Sequence, residues 1–248
     1  DFAKELSKAC KAQDMKFGFY NSLQGEWEYP ILQEDGSIKM YIENSRYDDY
    51  KPYYEGVASG KVAVRDIYHE CMVPQTIEFI DKYDPDILWY DYDWMTYAHE
   101  NGSYEISAYF YNKAEGRKEV ACNDRYGKPF PPEIAGRFTK KPRNWLRTVR
   151  GDFFTDEWGD TEECLDPVKW HPWESCSGIS KSYGNHWMES VDKSMVMTER
   201  DFVIHFSDIV ARGGNLLLLV NLGPQGAIPE VQRDRLRQIG AWLKRNGE

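Results

Sequence analysis

Asp91 ends the segment opened by a short apolar run, Ile87-Leu88-Trp89, and is followed at once by Tyr92, Asp93 and Trp94. The run is too brief for a helix and is bounded by polar residues, the pattern of a buried parallel strand. A carboxylate at the carboxyl end of such a strand stands where α/β barrels gather their reactive groups. A lone Asp could simply cap the next loop. The rings around this one argue for more, because Trp and Tyr offer a flat apolar face with a polar edge, matched to the mixed surface of a sugar. Two further polar groups fall at or just after expected strand ends: Asn123-Asp124-Arg125, and the acidic set Glu157, Glu162, Glu163 and Glu174. In a barrel, residues far apart in sequence but at successive strand ends face one pocket. Paired carboxylates beside tryptophans in a sugar-sized pocket suggest glycoside hydrolysis.

A divalent metal on Asp84, Asp86, Asp91 and Asp93 is the competing chemistry. Their spacing lacks the Asp-x-Asp-x-Asp-Gly and closing Glu of a calcium loop, and no His cluster offers a zinc site. Neither metal nor cofactor is therefore expected. The bulk properties narrow the class further. The 248 residues are 41% hydrophobic and 29% charged, an ordinary globular balance with room for one large α/β domain or two small ones. Aromatics reach an unusual 15%, with 9 Trp and 17 Tyr; most of them fill the core, and the rest suit a sugar surface. A net charge of −10 argues against nucleic acid or an anionic membrane as partner. The longest apolar run, Leu216 to Val220, falls far short of the roughly 20 residues that span a bilayer. Asp1-Phe-Ala-Lys-Glu5 reads as a helix in progress and not as a signal peptide. The cysteines, Cys10, Cys71, Cys122, Cys164 and Cys176, are odd in number and form no CxxC pair, so neither a zinc site nor a fully paired disulfide framework is implied. Cys122 and Cys176 fall in expected strands as packing residues.

The elements that must position these groups alternate. The pattern predicts a helix over Phe2–Gln13, a strand over Lys16–Ser22, and a long polar loop from Gln24 to about Lys61. A helical stretch follows from about Val62 to Lys82, with Pro74 starting a second segment or a kink. Next come the strand Ile87–Asp91, an aromatic loop, the strand Glu119–Asp124, and a long insertion from Arg125 to Trp173. The remainder is a strand near Glu174–Ser177, a helix Glu199–Ala211, a strand Asn215–Leu222, and a final helix from Pro229 to about Arg245. Strands alternating with helices imply a parallel sheet with right-handed crossovers. The expected fold is a TIM-like (β/α)8 barrel of which residues 1–248 supply roughly the last five βα units as one catalytic domain.

Six segments carry a family resemblance: Lys16-Phe-Gly-Phe-Tyr-Asn-Ser22, Asp84-Pro-Asp-Ile-Leu-Trp-Tyr-Asp91, Cys122-Asn-Asp-Arg-Tyr-Gly127, Gly151-Asp-Phe-Phe-Thr-Asp-Glu157, Pro172-Trp-Glu-Ser-Cys176 and Gly213-Gly-Asn-Leu-Leu-Leu-Leu-Val-Asn-Leu-Gly-Pro224. In this order they resemble glycoside hydrolase family 29, the retaining α-L-fucosidases. With Ile239 to Glu248 the likeness covers nearly the whole chain. It implies an exo-glycosidase that removes terminal α-L-fucosyl residues from an oligosaccharide or polysaccharide by double displacement. It also implies a secreted, periplasmic or lysosomal setting, with the first barrel strands and a C-terminal β-sandwich lying outside this chain.

By the same resemblance Asp91 matches the nucleophile, which attacks the anomeric carbon and must stay ionised; Arg125 is a suitable cation for it. Glu157 matches the acid/base used by several members, with Glu174 as the competing candidate, or otherwise a substrate ligand. Whichever it is must hold its proton near neutrality. Tyr20, Trp89, Arg125 and Tyr183 match positions lining the sugar pocket, and Trp187 is grouped with them. His171 and His186 flank this region and carry little weight as isolated loop residues. Retention requires the two carboxyl groups about 5–5.5 Å apart. The chain departs from the family where a small residue gives way to Tyr92, and where Ser-Trp-Gly-Tyr becomes Ser182-Tyr-Gly-Asn185. L-galactose, a substrate within the same family, and a non-catalytic sugar-binding barrel are thus the alternatives.

Overall fold

The computed structural model describes residues 1–22, 30–40, 63–91, 96–127, 151–157, 171–180, 193–223 and 225–247. The chain divides into two compact units, Asp1–Asp152 and Phe153–Glu248.

In the first unit, helix α1 (Phe2–Ala12) opens on an Asp1 cap whose carboxylate accepts from the Lys4 N–H at 3.1 Å. Strands β1 (Gly18–Ser22), β4 (Ile87–Asp91) and β5 (Ala121–Cys122) form a parallel sheet in the order β1-β4-β5. A small antiparallel pair, β2 (Pro30–Leu32) and β3 (Ile38–Met40), lies in the stretch expected to be loop. A π-helical turn, Tyr68–Met72, runs into α2 (Val73–Tyr83), with Pro74 in the first turn, where a missing N–H does no harm. Helix α3 (Ser103–Ala114) fills the segment read from sequence as an aromatic loop. Its buried residues Ile106, Phe110 and Ala114 recur every four positions, but exposed Tyr104 and Tyr111 hide that stripe.

The side chains of β4 alternate. Leu88 and Tyr90 are fully buried and pack with Val73, Ile80, Ile106, Phe110 and Cys122 into the core under α2 and α3. Phe19 stacks on Phe79 of α2 at 3.7 Å, and Asn21 donates to Thr76 at 2.9 Å, so the same face of β1 is also taken by helix. The opposite face is left to Tyr20, Trp89 and Asp91. Burial pushes the Cys122 thiol up to about 12, leaving a neutral, packed side chain as expected.

The second unit holds another parallel sheet, β6 (Phe154–Glu157), β7 (Trp173–Gly178) and β8 (Gly214–Leu219), in that order. Helices α4 (Glu199–Ala211) and α5 (Glu230–Asn246) complete it. The indole of Trp173 lies against Gly214 so closely that a Cβ there would stand 2.4 Å from Cζ2. Gln232 on α5 is fully buried; its amide accepts from the Asn221 N–H at 2.8 Å and donates to the Asn221 side chain at 2.6 Å, fixing the segment after β8. Cys176, like Cys122, is buried.

Among the described residues the parallel strands therefore number six in two three-stranded sheets, where the sequence suggested five. The addition is β6, inside what reads as an insertion: four residues, two of them acidic, leave no apolar run to detect. Conversely, of the strand expected over 119–124, Ala121 and Cys122 are the residues in register with β4.

Candidate active site

Asp91 is the last residue of β4, in register with Ser22 of β1, and Trp89 is in register with Tyr20. Each carboxylate oxygen of Asp91 meets a different donor. The Tyr20 hydroxyl donates to Oδ2 at 2.8 Å, and Arg125 Nη1 donates to Oδ1 at 3.2 Å. The Arg125 and Asp91 side chains are only 10% and 16% exposed, so this ion pair is shielded from water. Tyr20 stacks on Trp89 with ring centroids 5.5 Å apart, and the Arg125 guanidinium sits 5.3 Å from the centre of the Trp89 ring. A carboxylate, a cation and two aromatic faces are thus joined in one cluster. Trp89 is partly buried and Tyr20 is 52% exposed, so neither is a core filler.

Arg125 reaches Asp91 because the backbone leaves the sheet after Asn123, whose main-chain N–H is the last among the described residues to bond to β4, donating to the Leu88 carbonyl at 3.3 Å. Buried Asn123 takes over at that point, accepting from the Tyr90 N–H at 2.8 Å and donating to the Tyr90 carbonyl at 2.9 Å. Gly151, with φ of +65°, passes beneath this turn; a Cβ there would stand 2.7 Å from the Asn123 backbone. Sequence reasoning marked Asn123-Asp124-Arg125 as a polar group but not this amide clamp. The only signal was an Asn at a strand end, which carries a donor and an acceptor on one side chain.

The second unit holds both proton-donor candidates. Glu157 ends β6, in register with Cys176. Glu174 is the second residue of β7, in register with Thr155, whose hydroxyl donates to Glu174 Oε1 at 2.8 Å. Along the sheet Glu174 thus lies two residues nearer the amino end than the level of Glu157, about 7 Å. His171 donates to the Pro172 carbonyl at 3.0 Å and sits edge-on to Phe154. Tyr183, Trp187, His186, Glu162, Glu163, Tyr92, Asp93 and Trp94 lie outside the described residues.

The metal reading loses its geometry. Asp84 and Asp86 lie at the amino end of β4, where Lys118 binds them at 3.1 and 3.2 Å, at the far end of the strand from Asp91. Among the described residues no group of three His, Cys, Asp or Glu side chains is placed to hold a metal. Likewise among them, no helix is long and apolar enough to cross a membrane.

Known proteins resemble the chain throughout its length. Plasma alpha-L-fucosidase of Rattus norvegicus is 31% identical over 252 residues, and alpha-L-fucosidase of Dictyostelium discoideum is 29% identical over 251. Each match takes in 100% of this chain but 45% of the relative, so the chain spans less than half the length of these proteins. A solved alpha-L-fucosynthase of Thermotoga maritima, in complex with alpha-L-Fuc-(1-2)-beta-L-Fuc-N3, superposes with a TM-score of 0.65 at 25% identity, over 100% of this chain and 45% of that one. The Thermotoga maritima alpha-fucosidase in complex with a mechanism-based inhibitor gives 0.64 at 25% identity, over 100% and 46%. The sequence pattern of the Alpha-L-fucosidase family matches residues 1–248, and on that match the chain belongs to the alpha-L-fucosidase family of glycoside hydrolases.

Proposed function

We propose that the protein carrying this chain is a retaining exo-glycosidase that hydrolyses terminal α-L-fucosyl residues from oligosaccharides or polysaccharides. Asp91 is the nucleophile, Glu157 the acid/base, and Tyr20, Trp89 and Arg125 line the sugar site with Tyr183 and Trp187. In the first step an Asp91 oxygen bonds to the anomeric carbon as the glycosidic C–O bond breaks, and the departing oxygen takes a proton from the acid. In the second, water attacks the same carbon and the ester bond to Asp91 breaks. The water's proton passes to the acid/base, now acting as base.

The observation that carries this reading is the Asp91 carboxylate itself, at a strand's carboxyl end with one donor on each oxygen. Two donors hold a carboxylate in one orientation and compensate its charge without neutralising it, as a nucleophile requires. Glu157 is preferred to Glu174 as acid because Glu174 is bonded to Thr155 nearer the amino end of the sheet. Residues 1–248 are read as part of a (β/α)8 catalytic domain, which the likeness to solved fucosidases supports. Relatives named for plasma support a secreted or lysosomal setting.

The test is Asp91→Ala in the full-length enzyme on an aryl α-L-fucoside. Turnover should fall by several orders of magnitude, azide should restore part of it as the inverted fucosyl azide, and a fluorinated fucosyl inhibitor should label Asp91. Full activity in Asp91→Ala, or a label on another residue, rejects the assignment.

A further inference from the structure

We infer that Asn123 is a positioning residue for the nucleophile, an inference that rests on the Asp91 reading above. The parallel ladder between β4 and β5 runs regularly as far as Leu88. The Ala121 N–H donates to the Asp86 carbonyl at 3.0 Å, and the Asn123 N–H donates to the Leu88 carbonyl at 3.3 Å. Continued one step, such a ladder would join the Tyr90 N–H to the carbonyl of residue 123, and the Tyr90 carbonyl to the N–H of residue 125. Instead the Asn123 side chain makes both bonds, Oδ1 accepting from the Tyr90 N–H and Nδ2 donating to its carbonyl. One amide replaces two backbone groups.

Two consequences meet at Asp91. Tyr90 lies between Trp89 and Asp91, so the amide fixes the two peptide planes that aim the aromatic ring and the carboxylate. The backbone of Asp124 and Arg125 is meanwhile released from the sheet, which lets the guanidinium come to 3.2 Å from Asp91 Oδ1 and over the Trp89 ring. Asn123 is fully buried, so water does not stand in for it if it is lost. Both of these side-chain bonds go to the main chain of Tyr90, and through it the effect reaches Asp91.

The experiment uses the full-length enzyme with Asn123→Ala and the isosteric Asn123→Asp. The second keeps the volume and the acceptor but loses the donor, and so covers the case where the first does not fold. Folded sites are counted by calorimetric titration with a fucose-like iminosugar, and kcat is expressed per counted site. A displacement of the carboxylate by about 1 Å should lower kcat about 100-fold, with a much smaller rise in KM through Trp89 and Arg125. The same change is then made in Asp91→Ala with azide as nucleophile. Azide does not depend on the aim of residue 91, so only the part of the loss that acts through Trp89 and Arg125 should persist, and the rescued rate should fall by no more than about a tenth of the factor lost in kcat.

A kcat per site within about twofold of wild type overturns the inference. So does an equal loss in the azide-rescued background, because a merely structural role would act there too. Retention of activity by Asp91→Ala alone would instead remove the nucleophile reading, and it is seen before any Asn123 variant is made.

Discussion

Lys118 at the amino end of β4 offers a sharp test of what holds the strand that carries Asp91. Its ammonium donates to the carbonyls of Asp84 and Pro85, each at 2.8 Å, and to Asp86 Oδ1 at 3.2 Å, while pairing with Asp84 Oδ1 at 3.1 Å. The Lys118 and Asp86 side chains are 17% and 13% exposed. Lys118→Met keeps the aliphatic stem and removes the charge. Stripping one partner from a buried pair costs about 3–5 kcal/mol. The lower end applies, because Asp86 Oδ2 still accepts from the Phe17 N–H at 2.9 Å and Asp84 keeps Arg117 at 3.2 Å. About 3 kcal/mol corresponds to a fall in Tm of roughly 6–12 °C for a domain of this size. Calorimetry of wild type and variant at pH 7 measures it.

A pH series checks the cause. Burial would raise the Asp84 carboxyl, but hydrogen bonds from Arg117 and Lys118 outweigh it and hold the group below its ordinary value. A depressed carboxyl contributes stability above its unfolded pKa, which is lost as pH falls through the folded value. The gap between wild type and Lys118→Met should therefore narrow below about pH 4. A Tm loss of under about 2 °C at pH 7, or a gap that widens in acid, refutes the reasoning.

Two further outcomes are expected. Arg125→Lys keeps the charge but not the planar face over Trp89, so kcat/KM on an aryl α-L-fucoside should fall about tenfold; a wild-type value would mean that charge alone suffices. His205, half-buried on α4 with Nε2 2.9 Å from the Ser177 hydroxyl, is held below the usual imidazole range by burial, against the pull of Asp208. Its neutral form is the one that fits, so the stability it contributes is present above the unfolded pKa of about 6.5 and is lost as pH falls toward the folded value. His205→Gln should flatten the decline of Tm between pH 7 and 5, and parallel declines would exclude this role.

Much of the fold was legible because helix ends and apolar runs announce themselves. Helix Glu199–Ala211 matches its expected bounds, and Ile87–Asp91 is the strand its apolar run predicted. What failed was short or disguised. Strand β6 spans four residues with Asp156 and Glu157 among them, and α3 shows tyrosines on its exposed side. The cluster around Asp91 was readable as a set of residue types, since Tyr20, Trp89 and Arg125 were all named. Its connectivity was not, because which oxygen meets which donor depends on strand register, a pairing between segments 71 residues apart that no local pattern encodes. Asn123 shows the limit: a side chain that imitates backbone leaves no trace in composition or periodicity.

The fit of Trp173 over Gly214 constrains how this sheet can drift in sequence. The indole also donates to the Arg212 carbonyl at 3.3 Å and stacks on Phe154 with centroids 6.1 Å apart, so it has nowhere to retreat. Alanine at 214 is tolerable only once the ring at 173 has shrunk, and a smaller ring leaves a hollow until 214 grows. The two sites therefore evolve as one unit, each single change a dead end that the paired change reopens.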